Sequence, residues 1–223
     1  MTTYLLSALQ QRLQSLYEIT IPFDVNQFLI TDPVLVRCYE GDGPTRDIQE
    51  KLLLYQEDDT LDLALYLDQH LLDVLVAHSP WQSLDHRNLD AFLTVLEGVS
   101  HFLYASWNAL HDRTFSLFEL ELQAEVDKFV ILLTLLCEQR NRDALLSLHH
   151  RLFTQVRYSY TLDSFERDRY QKANDYAARF CQEVEPKYFG NQLFRNLRRF
   201  YRFTQAQKLA YILTDRKKYP FCY

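Results

Sequence analysis

The sequence predicts a mainly α-helical fold, a helical bundle of about six helices with a small N-terminal β-hairpin, on three observations. Glycine is scarce, four in 223 residues beside six prolines, which argues against an all-β chain built on tight turns and against a glycine-rich phosphate loop. Apolar residues recur at helical spacing through most of the chain. Helix-start signals, Ser116 with Glu119 and Asp163 with Glu166, stand where such stretches begin. With 48% hydrophobic residues, the chain can bury a sizeable core and is expected to form one domain over 1–223. Its parts are an N-terminal helix, loop and hairpin (1–67), an acidic helical core (68–189) and a basic, aromatic C-terminal helix and tail (190–223).

Leu5, Leu6, Leu9, Leu13 and Leu16 follow helical spacing and predict an amphipathic first helix. Residues 19–43 mix prolines and Asx residues with short apolar runs, which reads as irregular chain with a short helix around Asn26 to Leu29. GDGP at 41–44 is a loop. From Lys51 to Asp68, Leu52, Leu54 and Gln56 alternate with Leu53 and Tyr55. After a polar EDDT turn, Leu61, Leu63, Leu65 and Leu67 alternate with Asp62, Ala64 and Tyr66. This is hairpin patterning, although leucine is a weak strand former and leaves a helix as the alternative. Helices are then expected over 69–78, 88–111, 116–139, 142–155, 162–184 and 191–213. Asp85 or Asn88 can cap the second of these, and Gly190 and Asn191 separate the last two.

The helix from Asn88 to Asp112 is apolar nearly all round and is therefore placed at the centre of the domain. Leu89, Phe92, Leu96, Val99, Leu103, Trp107 and Leu110 form a broad face. Ala91, Gly98 and Ala105 form a small-residue face against which a second helix can pack closely. Its polar groups, Asp90, Thr94, Glu97, His101, Asn108 and Asp112, form one narrow stripe.

Two classes of function follow. The short connection at 112–115 predicts that this helix and the next run antiparallel, which brings His101 near the turns of FELELQAEVD. On that next helix Phe118, Leu122, Val126, Phe129, Val130, Leu133 and Cys137 set a buried face. Glu119 and Glu125 lie at its margins, and Glu121, Asp127 and Lys128 turn outward. Glu97, His101, Glu119 and Glu125 are thus the candidate ligands of a divalent metal in a metalloprotein or metalloenzyme, since carboxylates and imidazole on facing helices are what such centres use. The spacing departs from the paired Glu-x-x-His pattern of dinuclear bundles, being i, i+4 and occurring once. An ordinary i, i+4 contact at a helix edge explains the same two residues. His149 and His150 sit at the boundary of a helix core.

The second candidate is the C-terminal segment. Eight of the 24 Lys and Arg residues, but one of the 30 Asp and Glu, lie in 190–223. Arg195, Arg198, Arg199 and Arg202 fall at i, i+3, i+4 and i+7, one cationic stripe. It fits the acidic body of the same molecule, another protein or, less well because the whole chain is acidic, nucleic acid; a membrane surface fits least. The expected function is a macromolecular binding or adaptor module, with another protein as partner. No nucleophile elbow, P-loop, H-E-x-x-H or dinucleotide fingerprint occurs, and no motif requires a cofactor. Cys38, Cys137, Cys181 and Cys222 form no CxxC pair and read as free thiols. No apolar run is long enough for a transmembrane helix, and the N-terminus has no basic start or cleavage site, so a cytoplasmic location is expected.

Overall fold

Leucine alternation in Lys51–Asp68 produces the hairpin it predicts. A computed structural model describes residues 2–40, 48–58, 60–156, 158, 162–182 and 191–214. In it, strands β2 (Glu50–Glu57) and β3 (Thr60–Leu67) pair antiparallel, from Glu50 opposite Leu67 to Glu57 opposite Thr60. Asp58 takes φ 49°, the positive φ that a two-residue hairpin loop needs. A third strand, β1 (Leu29–Ile30), adds parallel to β3 in the order β1-β3-β2.

The rest is helical: α1 (Thr2–Tyr17), α2 (Pro33–Glu40), α3 (Gln69–Ala77), α4 (Leu89–Ala109), α5 (Leu117–Glu138), α6 (Arg142–Phe153), α7 (Ser164–Cys181), α8 (Asn191–Tyr201) and α9 (Gln205–Thr214). The mainly α class stands, with β1 between α1 and α2 and the hairpin after α2. More helices form than expected because two start signals act inside stretches read differently. Asp32 accepts the Val34 amide at 2.8 Å ahead of Pro33, which suits a first helical position, so α2 forms within the supposed irregular segment. Thr204 and Gln207 cap reciprocally, Thr204 N to Gln207 Oε1 at 3.0 Å and Gln207 N to Thr204 Oγ1 at 3.4 Å. That box splits the expected 191–213 helix into α8 and α9.

The Ser116/Glu119 and Asp163/Glu166 boxes form as predicted. Asn88 instead sews the preceding loop, accepting from Asp85 N and donating to His78 O and Ser83 O. The GDGP loop, Gly190 and Cys222 lie outside the described residues. Cys137 is exposed rather than on a core face, and Cys181 is buried; both are free thiols.

With few glycines, helices end on left-handed non-glycine residues. Glu18, Asp112 and Arg140 take φ of 49°, 51° and 55°. Each is followed by an amide reaching back five residues: Ile19 N to Gln14 O, Arg113 N to Asn108 O and Asn141 N to Leu136 O. That bond is the mark of a Schellman end. The strain, ~1 kcal/mol or more at each, is held by tertiary contacts.

Helix α4 packs against α1, α3, α5 and both hairpin strands. Its small-residue face receives the sheet, not the helix expected. A Cβ at Gly98 would lie 2.9 Å from Glu50 Cγ, 3.0 Å from Leu65 Cδ1 and 3.1 Å from Leu67 Cδ2. Glycine there lets β2 bring Glu50 against the polar stripe of α4. Helix α5 packs against α4, α6 and α7, so it is covered along all but its ends. Glu121, Asp127 and Lys128, expected to face outward, are buried. Among the described residues no helix is long and apolar enough to cross a membrane.

Candidate metal centre

His101, with only 6% of its surface exposed, is where strand β2 and helices α4, α5 and α7 meet. Its Nδ1 is 3.3 Å from Glu50 Oε1 on β2, and its Nε2 is 3.5 Å from Glu121 Oε2 on α5. The other oxygen of Glu121 is 3.6 Å from Arg169 Nε on α7. One turn before His101 on α4, Glu97 accepts from Lys128 Nζ at 2.9 Å, and Lys128 donates also to Glu125 at 2.7 Å. Glu50, Glu97 and His101 can each offer a ligand atom, all within 4.8 Å of one another.

The two halves of this cluster differ in fit. Around Lys128 the contacts are tight. Around His101 they are loose, and among the described residues neither His101 Nε2 nor Arg169 Nε has a hydrogen-bond partner. Buried polar groups left so are costly.

The charges are also unequal. Four carboxylates, Glu50, Glu97, Glu121 and Glu125, face two permanent cations, Lys128 and Arg169. Burial disfavours charge on His101, but Glu50 and Glu121 outweigh it and raise its pKa well above the ordinary value. Burial raises the Glu50 pKa against the opposing pull of His101. For Glu97 the attraction of Lys128 and His101 overcomes burial and holds the carboxyl low. Lys128 is held charged, because Glu125 and Glu97 overcome its burial.

Of the four predicted ligands, the structure brings Glu97, His101 and Glu125 into this cluster but leaves Glu119 out. Glu119 accepts from Ser116 N at 2.9 Å to close the start of α5, and Tyr104 OH lies 3.4 Å from its other oxygen. Glu50 and Glu121 were missed. Glu50 reaches His101 across 51 positions, for which no local pattern exists. Glu121 stands one turn before Glu125, a spacing that places both on one side of a helix.

A second buried network lies on the opposite side of α5. Asp127 accepts from Ser100 Oγ at 2.6 Å, from Gln123 Nε2 at 2.8 Å and from Tyr17 OH. Lys208 Nζ on α9 donates to Gln123 Oε1 at 2.8 Å and lies 4.4 Å from the Tyr104 ring centre. Burial pushes the Asp127 carboxyl up to about 6 and pulls the Lys208 amine down to about 7.

The arginine stripe divides. Arg198 donates to Leu16 O at 3.0 Å and pairs with Glu18 at 2.7 Å. Arg202 donates to Tyr17 O at 2.9 Å and Glu18 O at 3.0 Å. Together they satisfy the open carbonyls at the end of α1 and hold its left-handed Glu18. Arg195 and Arg199 are exposed, and Arg199 lies over Phe203. A groove of about 580 Å³ is lined by Tyr4, Arg12, Ile131, Glu138, Phe194 and Arg198 among others, with neither Arg195 nor Arg199 among its walls.

His149 Nε2 donates to Ala178 O at 2.9 Å, and His150 pairs with Thr154. His149 is half-buried, the boundary position expected of it, whereas His150 is exposed. Compared with family models, curated proteins and solved structures, the chain matches none.

Proposed function

We propose that the protein is a helical-bundle metalloprotein that binds one divalent cation between Glu50, Glu97 and His101. The observation that carries this reading is the convergence within 4.8 Å of ligand atoms from a buried His101 and half-buried Glu50 and Glu97. His101 Nδ1, beside Glu50, serves as the ligand nitrogen, and Nε2 is left facing Glu121 at 3.5 Å. Glu121 in turn faces Arg169, the outer carboxylate arrangement that orients metal-bound histidines. Mixed carboxylate and imidazole ligands suit manganese, iron or zinc. Three protein ligands leave coordination positions for water. Free thiols at Cys137 and Cys181 fit a reducing cytoplasmic setting.

Purified protein reconstituted with Mn²⁺ or Zn²⁺ and desalted is expected to retain one ion per chain by elemental analysis. His101→Ala should lose it. Retention of no ion by the native protein would end this reading.

A second reading, adaptor binding to an acidic protein surface, is favoured by the exposure of Arg195 and Arg199 one turn apart on α8. Charge reversal at those two positions should remove binding to such a partner without unfolding the protein. Arg198 and Arg202 hold α1, so their replacement should lower the melting temperature. Unchanged partner binding after reversal of Arg195 and Arg199 would remove α8 as the contact.

A further inference from the structure

We infer that Lys128 is a built-in cation filling what would otherwise be a second metal position, so that the centre takes one ion and not two. This rests on the metal reading proposed above. Two carboxylates from different helices close on the ammonium, Glu97 from α4 at 2.9 Å and Glu125 from α5 at 2.7 Å. Glu97 uses Oε2 for Lys128, which leaves Oε1 for an ion shared with Glu50 and His101. One carboxylate therefore links two adjacent cation positions, as a bridging ligand does in a two-metal site. Here one of the two cations is covalently part of α5.

The arrangement of contacts separates the two positions. The lysine position is satisfied: Lys128 is 9% exposed and makes short contacts to both partners. The histidine position is slack: Nδ1 of His101 lies 3.3 Å from Glu50 Oε1, longer than either contact of Lys128. An added ion enters the slack position, because entering the other means expelling a paired ammonium. Glu125 belongs to the lysine position, and its role is to hold Lys128 rather than to ligate the metal.

The test is metal stoichiometry with Mn²⁺, read by equilibrium dialysis and by electron paramagnetic resonance. The native chain is expected to bind one ion with the spectrum of an isolated Mn²⁺. Lys128→Ala frees Glu97 and Glu125 and is expected to bind two, with a coupled-pair spectrum and a melting temperature that Mn²⁺ raises more than it raises that of the native chain. Lys128→Arg keeps a cation there and should return to one. One ion in both the native chain and Lys128→Ala would overturn this inference and leave the metal centre standing, as would two ions in the native chain; none in the native chain would overturn both.

Should Lys128→Ala fail to fold, Glu125→Gln decides. It is expected to keep one ion with affinity within about twofold of native, whereas removing a true ligand or its close support costs at least 10- to 100-fold. A loss of that size would overturn the assignment.

Discussion

Replacing Asp127 by alanine is expected to cost on the order of 3 to 5 kcal/mol of stability, the largest loss from any single substitution outside the apolar core. Asp127 is 1% exposed and accepts three hydrogen bonds, from Tyr17, Ser100 and Gln123. The donors come from α1, α4 and α5 itself, so one carboxylate ties three helices. Alanine leaves the Tyr17 and Ser100 hydroxyls buried without this acceptor, while Gln123 Nε2 keeps Tyr17 OH at 3.1 Å, and each such orphan costs ~1 to 3 kcal/mol. Asparagine keeps one acceptor oxygen and should lose about half as much. Urea unfolding followed by circular dichroism measures this. A loss below ~1 kcal/mol for alanine would show that water or a shifted side chain replaces the carboxylate.

Lys208→Met is expected to stabilise the protein, and to do so in a pH-dependent way. Lys208 is fully buried against Gln123, Tyr104 and Phe200. Its amine is pulled down to about 7 by burial, with Glu119 and Asp127 opposing only in part. In the unfolded chain the amine titrates near its ordinary value of 10.5. Below pH 7 both states carry the proton, and the native state bears the full cost of a buried charge. Between pH 7 and 10.5 the native state has released the proton while the unfolded state still holds it, so stability from this group rises with pH.

Methionine removes the penalty and forfeits the hydrogen bond to Gln123. The variant should therefore be more stable by up to ~4 kcal/mol at pH 6, with the advantage shrinking toward pH 10. Melting curves of both proteins across that range test the sign. An advantage that does not change with pH would mean that Lys208 keeps an ordinary pKa.

The difference between what the sequence foretold and what folding added follows range. Period and capping are local, so the hairpin registers on its leucine alternation and α5 and α7 start at their capping boxes. The same local signals at Asp32-Pro33 and Thr204/Gln207 were legible but stood inside longer apolar patterns, and the cap prevailed over the pattern. Burial of a polar face is not local. Glu121 and Lys128 lie on a side of α5 that a single apolar stripe marks as outward, and only the docking of α4 and α7 covers it. Glu50 illustrates this most clearly: its place at the centre depends on Gly98 letting β2 approach α4. The arginine stripe was visible from its spacing, but its division depends on α1, 182 positions from Arg198 in the case of Leu16.

The decisive measurement for a metal centre is anomalous diffraction from crystals grown with Mn²⁺, recorded near the manganese edge. One strong peak is expected between Glu50, Glu97 and the Nδ1 of His101, with Lys128 still paired to Glu97 and Glu125. A map with no peak there at millimolar Mn²⁺, or with a peak only at surface carboxylates, would contradict a metal centre in this protein.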